Sequence, residues 1–228
     1  MRASATICAT AAMMIGFTGC ASSDTSDNVD PPSTTVAPAS SSSSSAASSP
    51  APTPGAAPTI AEYLEQNNIT QTMVKRGEPG VPELNLPMPP GWADVGADTP
   101  QDAYGAIYLQ AAAQAPNPPA IIARMARLDG NADPTKLLDY APNAVTRAPG
   151  WDGPTTGRPS TLGGFDAMQI AGIATLDGAP TFVARKTVVI TAPQNLYLLA
   201  LDAQGSLDQQ QALMDAMRVI DEQATIQV

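Results

Sequence analysis

Hydrophobic and polar positions divide the chain into three stretches. A short apolar run from Ala3 to Phe17 comes first. From Ala21 to Pro58 the chain is almost entirely Ser, Ala, Thr, Pro and Asp, with Val29 and Val36 as the only large aliphatic residues. From Thr59 onward apolar residues return with the periods of helices and strands. Thr59-Ile60-Ala61-Glu62 reads as a capping box opening a helix from Ile60 to Asn67, with Ile60, Tyr63 and Leu64 turned inward. Thr70 to Lys75 reads as a strand, Arg76 to Pro82 as a turn, and Glu83-Leu84-Asn85-Leu86 as a half-buried strand ended by Pro87, Pro89 and Pro90.

Tyr104 to Leu109 and Ala120 to Leu128 are apolar runs that predict two strands joined by the Pro-rich loop Ala115 to Pro119. Asp133-Pro134 starts a helix with Asp as cap and Pro at the first helical position, and Leu137, Leu138 and Tyr140 face the sheet. After a loop from Pro149 to Pro159, Phe165 to Leu176 and Thr181 to Ile190 form a hairpin turning at Asp177-Gly178. Asn195 to Asp202, apolar on both faces, reads as a central strand. A final helix from Leu207 to about Gln223, capped by Ser206 with Gln209 three residues on, carries Leu213, Ala216, Met217 and Ile220 as one stripe. Hairpin-linked strands with helices at both ends predict an α+β domain on a mainly antiparallel sheet. One globular domain is expected, from Thr59 to Val228, with no internal repeat.

Composition narrows the chemistry. The chain has no histidine and two cysteines, Cys8 and Cys20. Serine and cysteine nucleophiles therefore lack their usual base, and metal or haem sites lack their usual nitrogen and sulfur ligands, so no cofactor, no metal and no enzymatic activity are expected. The formal net charge is −10, which makes nucleic acid an unsuitable partner.

The apolar run at the amino end is too short to span a bilayer, and Thr18 and Gly19 are small, as a cleavage site requires. Phe17-Thr18-Gly19-Cys20 resembles the lipobox of bacterial lipoproteins, with Phe where Leu is usual and Arg2 as the one basic residue before it. The resemblance implies that Met1 to Gly19 is removed and that Cys20 carries a lipid holding the exported protein on the cell membrane. Ala21 to Pro58 then serves as a tether, which as a coil of about 38 residues averages roughly 35 Å end to end. Its Ser and Thr beside Pro either accept O-linked sugars or form a bare spacer.

Several segments match one family. They are Thr59-Ile60-Ala61-Glu62-Tyr63, Gly77-Glu78-Pro79-Gly80, Leu86-Pro87-Met88-Pro89, Gly91-Trp92, Asp133-Pro134, Thr161-Leu162-Gly163-Gly164-Phe165, Lys186-Thr187-Val188-Val189-Ile190 and Ile220-Asp221-Glu222-Gln223. Spread from Thr59 to the end, they resemble the LpqN/LpqT lipoproteins of mycobacteria. The resemblance implies a Mog1/PsbP-like fold, an antiparallel sheet flanked by helices. It also implies handling of envelope glycolipids such as trehalose mycolates, alongside mycolate transporters and mycolyltransferases. No catalytic motif comes with it.

Other constellations carry less. Asp129-Gly130-Asn131-Ala132-Asp133 opens like a calcium loop, but Pro134 and Tyr140 stand where that loop needs glycine and glutamate. Gly163-Gly164 lacks the further glycine and lysine of a phosphate loop and reads as a bend or bulge where a strand begins. Asp94, Asp98 and Asp102 share a loop and read as a solvated surface, with hydrolysis by Asp98 and Asp102 a minor alternative. Asp221 and Glu222 stand against the dipole of the last helix, with no local reason. Trp92, Tyr104, Tyr108, Trp151, Met168 and Tyr197, with Met214 and Met217, are the candidates for an adaptable groove that takes an acyl chain and sugar hydroxyls. Trp92 and Trp151 are favoured for the Gly and Pro beside them. The expected function is a membrane-tethered binder or carrier of envelope glycolipids. An adaptor that docks on an envelope transporter or mycolyltransferase without binding lipid is the alternative.

Overall fold

The structure, a computed structural model, describes residues 57–228, so Cys20, the expected cleavage site before it and the expected tether up to residue 56 lie outside the described residues. In chain order the elements are α1 (Ile60–Gln66), β1 (Thr70–Val74), β2 (Glu83–Asn85), β3 (Trp92–Asp94), β4 (Gly105–Leu109), β5 (Ala120–Asp129), α2 (Pro134–Tyr140) and α3 (Asn143–Thr146). They continue with β6 (Arg158–Leu162), β7 (Phe165–Leu176), β8 (Ala179–Thr191), β9 (Leu196–Gly205), α4 (Gln210–Gln223) and β10 (Thr225–Gln227).

Eight strands make one antiparallel sheet in the order β3-β4-β5-β9-β8-β7-β6, with β1 also on β5. The expected α+β class is therefore the observed one. Its two longest strands form the β7-β8 hairpin, whose turn residues Asp177 and Gly178 both have positive φ, 50° and 78°. Two residues in that conformation form the turn that matches strand twist, and Gly at the second position adopts it without strain. β9 closes on β8, and its buried run Tyr197-Leu198-Leu199-Ala200-Leu201 fits a strand covered on both faces.

The two faces are covered differently. On one, α4 lays Leu213, Ala216, Met217 and Ile220 over Met125, Val188, Leu199 and Leu201, in the stripe the helical period predicts. On the other, α1 and α2 pack Tyr63, Leu64 and Leu137 on Leu128, Val189 and Leu198, while α3 sets Val145 against Ile170, Ala174 and Val183. Between these patches Arg124 and Arg185 share Asp202, at 3.2 and 2.5 Å, and Arg124 also holds Asp102 at 2.7 Å.

Several short elements differ from the sequence expectation, β3 and β10 among them, which have no counterpart in it. β6 begins inside the stretch read as a loop, and Gly163-Gly164 is the two-residue turn joining it to β7, with φ of 56° and 87°, rather than a bulge. β2 leaves the main sheet to pair with β10, a strand that follows α4. α3 has only four residues and no periodic pattern to reveal it. The partner of β2 lies far away in sequence, and β6 and α3 are short, five and four residues, so local pattern carries little signal for any of them.

The chain is fastened as it enters the domain. Glu62 and Thr59 form the expected capping box, at 2.6 and 3.2 Å, and Arg147 binds Glu62 at 2.7 Å. Arg147 also donates to the Ala57 carbonyl, and Asn143 donates to that of Pro58 at 2.6 Å. The Arg147 hydrogen bond holds the Glu62 carboxyl below its ordinary value of 4.5. A carboxylate with a lowered folded pKa stabilises the fold above its unfolded value and loses that contribution as pH falls through the folded one. Glu62→Gln is therefore expected to cost about 1 kcal/mol in urea denaturation at pH 7 and clearly less at pH 3.

Candidate functional site

Paired residues of an antiparallel sheet point to the same face, so the register lays out the floor beneath α4 row by row. One row is Ala171, Ala184 and Ala203, on β7, β8 and β9. Its neighbour runs Arg158, Gln169 and Lys186 before reaching Leu201. Three alanines in line are too small to fill the space under a helix. A groove of about 500 Å³ opens there, between the flank of α4 and β7-β8. Its walls are Met214 and Met217, its floor Ala171 and Ala184, and its polar end Gln169, Arg158, Arg218 and Asp221, with Pro154 and Thr156 at the side. That volume and mixture suit a small-molecule site, an apolar trough with a few convergent polar groups.

Behind the polar end lies a buried lysine. Lys186 is 1% exposed and inserts its ammonium between Asp221 Oδ1 at 2.6 Å, Ser160 Oγ at 2.9 Å and Thr161 O at 3.4 Å. The position of Asp221 near the carboxyl end of α4 now has a reason: the ion pair outweighs the unfavourable helix dipole, worth about 0.3 to 1 kcal/mol. Glu222 is answered one turn back by Arg218 at 3.4 Å. Lys186, Thr161 and Asp221 come from three of the segments that carried the family resemblance, and they meet at the groove.

The residues singled out from sequence are placed as follows. Trp92, Tyr104 and Tyr197 are in the core, each below 7% exposed. Tyr104 Oη accepts from Leu84 N–H at 3.2 Å, and Tyr197 Oη donates to Gly80 O at 2.9 Å, fixing the 77–84 segment to the sheet. Tyr108 lines a smaller crevice of about 130 Å³ on the opposite face, beside Val95, Ala106, Ile122 and Leu176. Met168 packs on Gly157, and Trp151 lies against Gly153 and Gly172 with its Nε1–H on Pro154 O at 3.1 Å. None of these six lines the groove; Met214 and Met217 do. The three loop aspartates do not converge. Asp94 accepts from Gly96 N–H, Asp102 binds Arg124, and Asp98 lines the crevice with Tyr108. Asp133 caps α2, accepting from Thr135 and Lys136, and among the described residues no cluster of metal ligands occurs.

Known proteins share this architecture. The family described as "Probable lipoprotein LpqN" matches residues 56–227. The chain belongs to the LpqN lipoprotein family. Lipoprotein LpqN of Mycobacterium tuberculosis is 40% identical over 168 residues, 74% of this chain and 73% of the relative. A crystal structure described as LpqN involved in cell envelope biogenesis of Mycobacterium tuberculosis aligns with a TM-score of 0.71 at 40% identity, covering 75% of this chain and 98% of that one. Within this LpqN-family domain, the polar groove residues missed in the sequence are Arg158, Gln169 and Arg218, with Lys186 buried behind them. The signal for Lys186 was a charged pair, Arg185-Lys186, inside an otherwise apolar strand.

Lys186 and Asp221 should be coupled. Lys186→Met alone leaves the carboxylate without its partner and is expected to cost about 2 kcal/mol or more. The double change Lys186→Met with Asp221→Leu should recover most of that loss in a denaturant-unfolding cycle.

Proposed function

We propose that this protein is an exported, membrane-anchored lipoprotein that binds envelope glycolipids of the trehalose mycolate type and helps move them, in support of envelope biogenesis. The groove under α4 carries the reading. Its Met and Ala trough offers an aliphatic chain a dry surface, at about 0.8 kcal/mol per buried methylene. Methionine suits chains of varied shape, because its side chain is unbranched and flexible. The polar end supplies what sugar hydroxyls need: the Gln169 amide, the Arg158 and Arg218 guanidiniums as donors, and Asp221 as acceptor.

The setting agrees with this chemistry. The solved relative is described as involved in cell envelope biogenesis, and the Cys20 motif fits attachment to the membrane. No helix among the described residues is long and apolar enough to cross a membrane, so in this reading the anchor is the lipid on Cys20. The one carboxylate at the groove is committed to Lys186, an arrangement better suited to holding a ligand than to passing protons.

Trp151 gives a built-in probe, since it hydrogen-bonds Pro154 at the side of the groove. Titrating the full chain carrying Cys20→Ser with a short-acyl trehalose ester should change tryptophan emission saturably. Met214→Asp changes a half-exposed wall residue and should weaken binding about tenfold without unfolding the domain. No saturable binding, with a purified protein empty of lipid by native mass spectrometry, would move the assignment to a protein-docking adaptor.

A further inference from the structure

Arg158 stands apart in the charge map of this protein. Seven arginines lie among the described residues, and six of them, all but Arg158, have a carboxylate within 4 Å. Arg158 is the first residue of β6, exposed, and at the polar end of the groove. In a chain of formal charge −10, an arginine left without an acid is where a ligand's negative charge would be most favoured.

The charges around it sharpen the point. Asp221 is the one acid at the groove, and the Lys186 ammonium at 2.6 Å already balances it. Arg218, at the same end, has Asp215 at 3.8 Å and Glu222 at 3.4 Å, both longer than a charge-assisted hydrogen bond. Of the charged side chains at the polar end, Arg158 is thus the one with no acid within 4 Å among the described residues, and it adjoins the alanine row that offers the apolar trough. Guanidinium binds phosphate and carboxylate through two parallel hydrogen bonds, a geometry an ammonium does not offer. Thr156 and Gln169 flank Arg158 with side chains that make no hydrogen bond among the described residues.

We infer that the groove prefers amphiphiles with an anionic head, a phosphate or carboxylate held by Arg158, over neutral ones of equal chain length. The inference rests on the groove being the chain-binding site, and adds that an acidic head is held more tightly there than the uncharged sugar head of a trehalose ester, which the groove still takes. Phosphate and carboxylate share the chemistry; free anion and lipid are separated by the test.

The full chain carrying Cys20→Ser, which has no acyl group of its own to compete, is titrated by calorimetry at low salt with decyl phosphate, decyl glucoside and inorganic phosphate. Decyl phosphate should bind about fivefold or more tightly than decyl glucoside, and Arg158→Gln should bring the two within about twofold of each other. Inorganic phosphate should bind far more weakly than decyl phosphate. Equal binding of the two decyl compounds to the unsubstituted site overturns the preference while leaving chain binding intact. A preference that survives Arg158→Gln removes Arg158 from the role. Inorganic phosphate binding as well as decyl phosphate shows an anion site without a lipid. Failure of both decyl compounds to bind refutes the groove itself as the chain site, and with it the reading on which the inference rests.

Discussion

An ammonium buried inside a protein has to be neutralised on the spot, and much of this structure is arranged around one such group. Lys186 points from β8 into the space under α4. Asp221 must come down from the helix to meet it, while Ser160 and Thr161 must come in from β6. Desolvating the two charges separately would cost several kcal/mol each, so the helix and the edge strand are held to positions that satisfy both. Hydrophobic burial alone would let α4 slide along its stripe, since apolar contact has no direction. The ion pair gives it a fixed address. The groove inherits that precision, because its walls are α4 side chains and its floor belongs to the strands that Lys186 ties to them.

Small residues then decide where the space lies. Ala171, Ala184 and Ala203 stand side by side across three strands, where Leu199, Val188 and Ala167 fill the corresponding line two rows along. A leucine in that row would occupy the trough, and the methionines of α4 would have nothing to enclose. The opposite face shows the contrast. There Tyr63, Leu64 and Leu137 fill the interface with α1 and α2, and the central charges of Arg124, Arg185 and Asp202 satisfy one another. That face keeps a crevice of about 130 Å³ beside Tyr108, and the α4 face a groove of about 500 Å³ beside a fixed helix.

The long, regular parts of this arrangement were legible in the sequence. The hairpin turning at Asp177-Gly178, the capping boxes of α1 and before α4, and the α4 stripe all rest on interactions within a few residues. Local pattern therefore suffices for them. β2 and β10 lie about as far apart as two segments of the domain can, and each is three residues long, so no window of sequence contains their pairing. The groove was hidden for a related reason. Size and aromaticity drew attention to Trp92, Tyr104 and Tyr197, yet in an Ala-rich domain bulky residues are what the core is made of. A cavity is marked by what is small, and three alanines become meaningful only when register places them in one line.

The two faces also separate the entry of the chain from the groove. The chain enters at Ala57 and Pro58, where Arg147 and Asn143 hold it against α1 and α3 on the packed face. The groove opens on the other face, beside α4. Ala57 and Pro58 thus lie on the side of the sheet away from the groove. The sheet therefore stands between the hydrogen bonds that seat the start of the domain and the trough walled by Met214 and Met217, so either can be altered without touching the other.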